Sequence, residues 1–161
     1  MKITLPERLT EFKRHWKSYV VQSSMAFATL FVVLILLGEG RLANVASLGA
    51  SAFIVFAMPT EITGQTRNLV GGQFIGMFIG ALIGLAPIES HALGVVMTAL
   101  AVGLTMFVMV VVDMEHPPAC GTALGMAVYG WEWRALGTIA AAVVLLAVIH
   151  RVFKPYLRDL V

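Results

Sequence analysis

Residues 18–38 are twenty-one consecutive positions without a charge, among them Phe27-Ala28-Thr29-Leu30-Phe31-Val32-Val33-Leu34-Ile35-Leu36-Leu37. About twenty apolar residues in a helix cross a hydrocarbon core of roughly 30 Å, so this run dictates membrane insertion before any other feature is read. Residues 68–88 and 90–112 give charge-free stretches of twenty-one and twenty-three residues that meet around Pro87 and Glu89. A fourth covers residues 135–150 and extends through Trp133 on one side and Phe153 on the other. Only 12% of the 161 residues are charged, against about 25% in a soluble domain, which is too few to clothe a soluble particle of this size.

Two further segments are shorter. Residues 42–60 are charge-free, but their first half, Asn44-Val45-Ala46-Ser47-Leu48-Gly49-Ala50-Ser51-Ala52, is small and hydroxylated, and they end at Met58-Pro59. Residues 116–131 give sixteen uncharged positions opening on His116-Pro117-Pro118. Each reads as a short, tilted or broken helix, and irregular backbone at membrane depth has to face protein or a polar cavity rather than lipid. The expected fold is therefore an all-α polytopic membrane protein of six segments, with segments 2 and 5 short or re-entrant.

Basic residues set the orientation. If all six segments cross, both termini and Arg67 share one side with nine Lys and Arg, against Arg41 and Arg134 on the other. If the two short segments are re-entrant, the count is eight against three, with the termini still together. Basic residues collect on the cytoplasmic side, so both termini are expected there, in a multi-pass protein of the cell (inner) membrane. Ahead of the first span, Leu5, Leu9, Phe12 and Trp16 recur at helical spacing, and Thr4, Pro6 and Glu7 suit a helix start. Residues 1–17 are thus expected to hold an interfacial amphipathic helix, over 4–17, the alternative being a flexible basic tail. Residues 18–152 form the transmembrane domain and 153–161 a basic cytoplasmic tail. The first apolar run is long enough to span, so it does not read as a cleavable leader.

The order long, short, long occurs twice, which predicts an internal duplication. Aligning residues 46–57 with 118–129 sets Gly49 opposite Gly121. Three crossings per half give inverted copies, the favoured arrangement; two crossings plus a re-entrant loop give parallel ones. In the third span Gly72, Gly76, Gly80 and Gly84 recur every four residues. Such a stripe lets another backbone approach closely, preferably a short helix of the same chain, with a subunit interface of a homo-oligomer or a pore-facing strip as alternatives.

Ionisable groups near membrane depth are the candidates for chemistry. Arg67, in Gln65-Thr66-Arg67-Asn68, carries a fixed fork of donors that suits a planar oxyanion; an ordinary interfacial arginine is the alternative. His116-Pro117-Pro118 suits the first turn of a new helix whose amides, Ala119 to Gly121, would face an anion. His116 would donate, shuttle a proton or cap the break, or else be an interfacial histidine without a transport role. Ser47 to Ser51, with Asn44, would line the opposite wall. Lone Cys120 makes no disulfide, and the scattered histidines form no compact metal-ligand run, so no metal or cofactor is expected. No nucleophile and base are paired, which argues against an enzyme, and membrane orientation already accounts for the basic residues, so no nucleic-acid partner is expected.

Leu48-Gly49-Ala50-Ser51-Ala52 leading to Pro59, then Gln65-Thr66-Arg67-Asn68-Leu69-Val70-Gly71-Gly72, then His116-Pro117-Pro118-Ala119-Cys120-Gly121-Thr122 together resemble the HPP family of small integral membrane proteins. The resemblance covers about residues 18–152. It implies a transmembrane domain usually described with four spans, and a transport role, since some plastid and cyanobacterial relatives are implicated in nitrite transport. Its signature residues fall here on Gly49, Ser51, Pro59, Arg67, Asn68, Gly71, Gly72, His116, Pro117, Pro118, Gly121 and Thr122. The sequence departs from the family pattern at Gln65-Thr66-Arg67, where a proline commonly precedes the arginine, and at Cys120-Gly121-Thr122. The leading functional expectation is passage of a small monovalent anion, with Arg67, Asn68, His116, Thr122, Ser51, Gly49 and Gly121 as binding candidates. Pro59, Pro117, Pro118, Gly71 and the glycine stripe shape the helices. Another small solute, or a non-catalytic membrane assembly or sensor subunit, is the alternative.

Overall fold

A computed structural model describes residues 5–37, 42–87 and 90–161. The expected helix start at Thr4, the outer-side Arg41 and the linking Glu89 lie outside these residues. Six helices follow one another: α1 (Leu5–Leu37), α2 (Leu42–Ala57), α3 (Thr66–Ile83), α4 (His91–Val111), α5 (Pro118–Tyr129) and α6 (Trp133–Phe153). The all-α, six-helix membrane architecture is as the sequence indicated, and α2 and α5 are the short members. At 1.5 Å per residue they reach about 24 and 18 Å.

Local chemistry sets the boundaries. Within α1 the backbone leaves helical geometry at His15 (φ −126°, ψ 20°), which divides an N-terminal segment from the long apolar helix. On that segment and just past the break, Leu5, Leu9, Phe12 and Trp16 are all exposed, Phe12 meeting the Tyr19 ring edge-on. Ser90 caps α4, its hydroxyl accepting from the Leu93 amide at 3.2 Å. Pro118 opens α5, where a missing amide proton costs nothing. Gly130 closes it at φ +77°, a conformation that a side chain would strain. Past the end of α4, Asp113 takes φ +57°, which aspartate tolerates better than most residues.

Named contacts give the helix directions. The start of α3 meets the end of α4 through Arg67 and Asp113, and the end of α6 through Thr66 and His150. Ser51, late in α2, meets His116 ahead of α5, whereas Ser47, one turn earlier, meets Thr122 one turn into α5. Gly72, Gly76, Gly80 and Gly84 climb α3 alongside His116, Ala119, Ala123 and Met126. Thus α3 runs antiparallel to α4 and α6 but parallel to α5, and α2 runs antiparallel to α5. Direction alternates along the chain, and neither short helix doubles back.

The set of neighbouring helix pairs is preserved under exchange of the halves α1–α3 and α4–α6, although α3 packs far more extensively on α4 and α5 than α6 does on α1 and α2. The pair α1 and α2 corresponds to α4 and α5, α2 and α6 to α5 and α3, and α3 and α4 to α6 and α1, while α2 with α5 and α3 with α6 map onto themselves. Every one of these pairs is in contact, which is what an inverted duplication requires. Burial refines the alignment by one position. Ser47, Leu48, Ser51, Ala52, Val55 and Phe56 are buried in α2, and Pro118, Ala119, Thr122, Ala123, Met126 and Ala127 in α5, a constant offset of 71 that makes Ser51 the counterpart of Thr122. The offset of 72 that opposes Gly49 to Gly121 matches small residues but not buried faces.

Three described helical stretches are long and apolar enough to span by themselves: Leu5–Ile35, His91–Val111 and Trp133–Tyr156. The third span expected from the sequence, α3, falls short because its faces carry Arg67, Asn68 and Gln73 and it ends at Ile83. It is instead the hub of the bundle, flanked by α4, α5 and α6. The glycine stripe is consumed inside the chain. A Cβ on Gly72 would stand 2.6 Å from His116 Cβ and one on Gly84 2.7 Å from the Met126 carbonyl oxygen, while Gly76 and Gly80 lie under the Ala119 and Ala123 carbonyls. Those glycines are therefore unavailable to a second subunit or to a pore.

The C-terminal segment is stitched down. After a 3-10 turn at Lys154–Tyr156, the Leu160 amide donates to the Ala57 carbonyl at 2.9 Å, and the Asp159 carboxylate takes the Thr60 amide and hydroxyl. Buried Gln22 of α1 donates to the Phe56 and Arg158 carbonyls and accepts from the Arg158 amide, and the Tyr19 hydroxyl donates to the Leu160 carbonyl.

A sealed polar centre between the short helices

Where α2 crosses α5, five polar side chains meet with almost no exposure. Ser47 and Ser51 come from one face of α2, Thr122 from α5, Gln73 from α3 and His116 from the turn before α5. Their places follow from local structure. Residues 47 and 51 are one helical turn apart and so share a face. Gly72 and Gly76 bring α3 close enough for Gln73 to reach between the short helices. Pro117 and Pro118 end the α4–α5 connection and hold His116 against Gly72.

Gln73 spans the two symmetry-equivalent hydroxyls. Its Nε2 donates to Ser51 Oγ at 2.9 Å, and its Oε1 accepts from the Thr122 hydroxyl at 2.7 Å. Ser47 Oγ lies 2.7 Å from Thr122 Oγ1 and donates to the Pro118 carbonyl. Ser51 Oγ donates to the Ser47 carbonyl at 3.0 Å and lies 2.9 Å from His116 Nε2. A carbonyl only accepts, so His116 Nδ1, 2.8 Å from the Thr63 carbonyl, carries a proton. His116 sits in the connection, outside the six helices.

The other expected site residues lie around this centre. Arg67 is more than half exposed at the end of the bundle, its guanidinium donating to the Asp113 carboxylate at 2.9 Å and to the Val112 carbonyl at 3.3 Å. Asn68 is buried and donates to the Glu115 carbonyl at 3.2 Å, so the two residues together pin the connection that carries His116. Gly121 faces Ser47, with 3.3 Å between its would-be Cβ and the serine's. Gly49 points into open space, and Gly71 underlies the Met114 side chain. Pro59 belongs to the turn after α2. The expectation that the start of α5 offers free amides meets a different geometry: the Ala119 amide donates to the His116 carbonyl at 2.9 Å and the Cys120 amide to the Pro117 carbonyl at 3.1 Å. Side chains, not these two amides, are what the centre presents.

Sequence reading missed Gln73, whose role depends on a helix contact 49 residues away. It also missed His150, buried at the end of α6 with Nδ1 3.5 Å from Thr66 Oγ1. The alternation of Gln73 with small residues at 72 and 76 was the visible signal for the first. Among the described residues no group of three or more His, Cys, Asp or Glu is placed to hold a metal.

These features define a polytopic helical membrane protein built as two inverted halves around a polar interior. The chain matches the family described as HPP, transmembrane region, over residues 11–157, and it belongs to that family. Two transmembrane proteins of Dictyostelium discoideum are similar to it. One is 38% identical over 93 residues, covering 58% of this chain and 32% of the relative. The other is 37% identical over 78 residues, covering 48% of this chain and 25% of the relative. The chain thus spans a third or less of the length of these relatives. No solved structure matches it.

Proposed function

We propose that this chain moves a small monovalent anion, nitrite among the candidates, across the membrane between α2, α3 and α5. The observation that carries the reading is the sealed set of hydroxyl, amide and imidazole groups where the short helices cross. Polar groups at membrane depth are costly, and in duplicated transporters the solute site lies at the interface of the repeats, where short or broken helices meet. Ser51, Thr122 and His116 would meet the solute, with Gly121 keeping that wall low. Arg67 would draw the anion to the mouth of the path, its neighbour Asn68 holding the His116 connection in place.

Substituting Arg67 tests the mouth. Arg67→Ala is expected to lower nitrite or formate flux into liposomes on the order of tenfold, the scale on which a local charge raises ion encounter. Arg67→Lys keeps the charge but not the fork that now reaches both Asp113 and Val112. A lysine variant near wild type assigns Arg67 to attraction, and one near alanine assigns it to geometry. Unchanged flux in correctly inserted Arg67→Ala removes the residue from the mechanism, and wild-type protein that carries a cation but no anion overturns the solute class.

In the same reading both termini are cytoplasmic, and the apolar row Leu5, Leu9, Phe12 and Trp16 lies in the inner leaflet of the cell membrane. The excess of basic residues at that end supports this. Single cysteines at residues 2 and 161, in a Cys120→Ser background, are expected to resist an impermeant maleimide in sealed right-side-out vesicles and to react after permeabilisation. External labelling of either reverses the assignment.

A further inference from the structure

The sealed centre has fewer protons than its geometry can use. Ser47 is within hydrogen-bond distance of the Pro118 carbonyl and of Thr122, Thr122 also of Gln73 Oε1, and Ser51 of the Ser47 carbonyl and of His116 Nε2. Each hydroxyl has one proton to give. The Gln73 amide protons point to Ser51 and Ser47, and the one proton fixed on His116 goes to Thr63. So three hydroxyl protons serve five short approaches, and His116 Nε2 competes with a backbone carbonyl for the proton of Ser51. On the same face of α2, one turn before Ser47 and Leu48, the Oδ1 of Asn44 is buried without any hydrogen-bond partner. All the spare capacity is for accepting.

A bare anion needs the opposite. It brings only acceptor atoms, and among the described residues no lysine or arginine reaches this interior: Arg67, the nearest along α3, is engaged with Asp113 at the bundle end. We propose that the centre passes its solute together with a proton, as the neutral acid of a small monovalent anion, with His116 Nε2 as the acceptor for that proton and Ser51 Oγ accepting the acid's hydrogen bond beside it. This rests on the transport reading given above and names the protonation state of its substrate. In the step itself the acid's O–H bond breaks as an N–H bond forms at His116 Nε2, leaving an imidazolium beside the anion. The reverse transfer restores the neutral acid before it leaves, so nothing is oxidised or reduced and no net charge crosses.

The groups around His116 allow this. Ser51 faces it from α2, Gly72 from α3 and Thr63 from the turn before α3, and none of them titrates. On its own connection Asp113 is paired with Arg67, and Glu115 lends its carbonyl to Asn68. Cys120 of α5 is only partly buried.

The test uses wild-type protein in liposomes containing a pH dye, with valinomycin and potassium setting the membrane potential and protein-free liposomes as the background. Formate or nitrite influx is expected to acidify the lumen one proton per anion, to be indifferent to potential, and to exceed chloride influx by at least about tenfold, because chloride has no neutral acid in water. Influx that follows the potential without a luminal pH change, or chloride carried as fast as formate, overturns the proton requirement and leaves anion transport standing. Absence of flux for every ion overturns both readings. In a second arm, Ser51→Ala with a wild-type melting temperature is expected to reduce formate influx by about tenfold and leave the proton-to-anion ratio at one; an unchanged rate removes Ser51 from the proton's route.

Discussion

Gly76→Leu should leave no folded, monodisperse protein, whereas Gly103→Leu should purify and melt as wild type does. Both residues are helical glycines, and their difference lies in what stands opposite. At Gly76 an added Cβ would run into the carbonyl group of Ala119, which belongs to the rigid backbone of α5 and cannot step aside. At Gly103 nothing lies within 4 Å. Overpacking costs about 1–3 kcal/mol where side chains can adjust, and here the obstacle is main chain. The single methyl of Gly76→Ala should therefore lower the melting temperature in detergent by about 5 °C or more, read from the intrinsic fluorescence of the tryptophans. Gly80→Ala, under the Ala123 carbonyl, should match it, and a Gly76→Ala protein as stable as wild type would refute the close approach of α3 and α5.

The second large effect is expected at Gln73. Changing it to leucine keeps the bulk but removes the donor to Ser51 and the acceptor from Thr122. Two buried hydroxyls then lose a partner, at about 1–3 kcal/mol for each group left unsatisfied. Thr122→Val in the same protein deletes one of those stranded hydroxyls, so the double variant should be more stable than the sum of the singles predicts, by about 1 kcal/mol or more. Additive losses would show that the bridge between the halves is not energetically coupled. Anion flux should fall in Gln73→Leu even at matched stability, because the wall of the proposed path is built from the groups it orients.

Much of this fold was legible because the membrane admits few solutions. Uncharged run lengths located α4, α6 and the C-terminal end of α1 within a few residues, and Pro118 marked the start of α5. The glycine periodicity of α3 announced a close partner, and its preferred partner, a short helix of the same chain, is the one observed. The site was legible only in part. Ser51 stood out as a hydroxyl in a small-residue segment, His116 as an ionisable group and Thr122 through the family resemblance, and they do converge. Arg67 stood out for its charge, yet the same chemistry that suits an oxyanion suits the Asp113 carboxylate, which lies 46 positions along the chain and is brought near by the α3–α4 hairpin. The amides of α5 were expected to be free because two prolines remove donors, but a tight first turn lets the next two amides bond backwards. The repeat register slipped by one because small residues recur on every face of both short helices, and only burial distinguishes the inner one.

The seam between the two ends of the chain bears on biogenesis. Gln22 finds its partners on Arg158, 136 residues later. The first helix therefore cannot complete its polar contacts until residue 158 has been made, and the Ala57 carbonyl waits for Leu160. Until then Gln22 of the first helix has the Phe56 carbonyl but neither backbone group of Arg158, and the turn after α2 is open. Closure of this bundle is in that sense a late event, completed by residues 158–160 rather than by successive insertion of its spans. A chain truncated after residue 156 would hold all six helices and still lack the clasp of residues 158–160 over α1 and the end of α2.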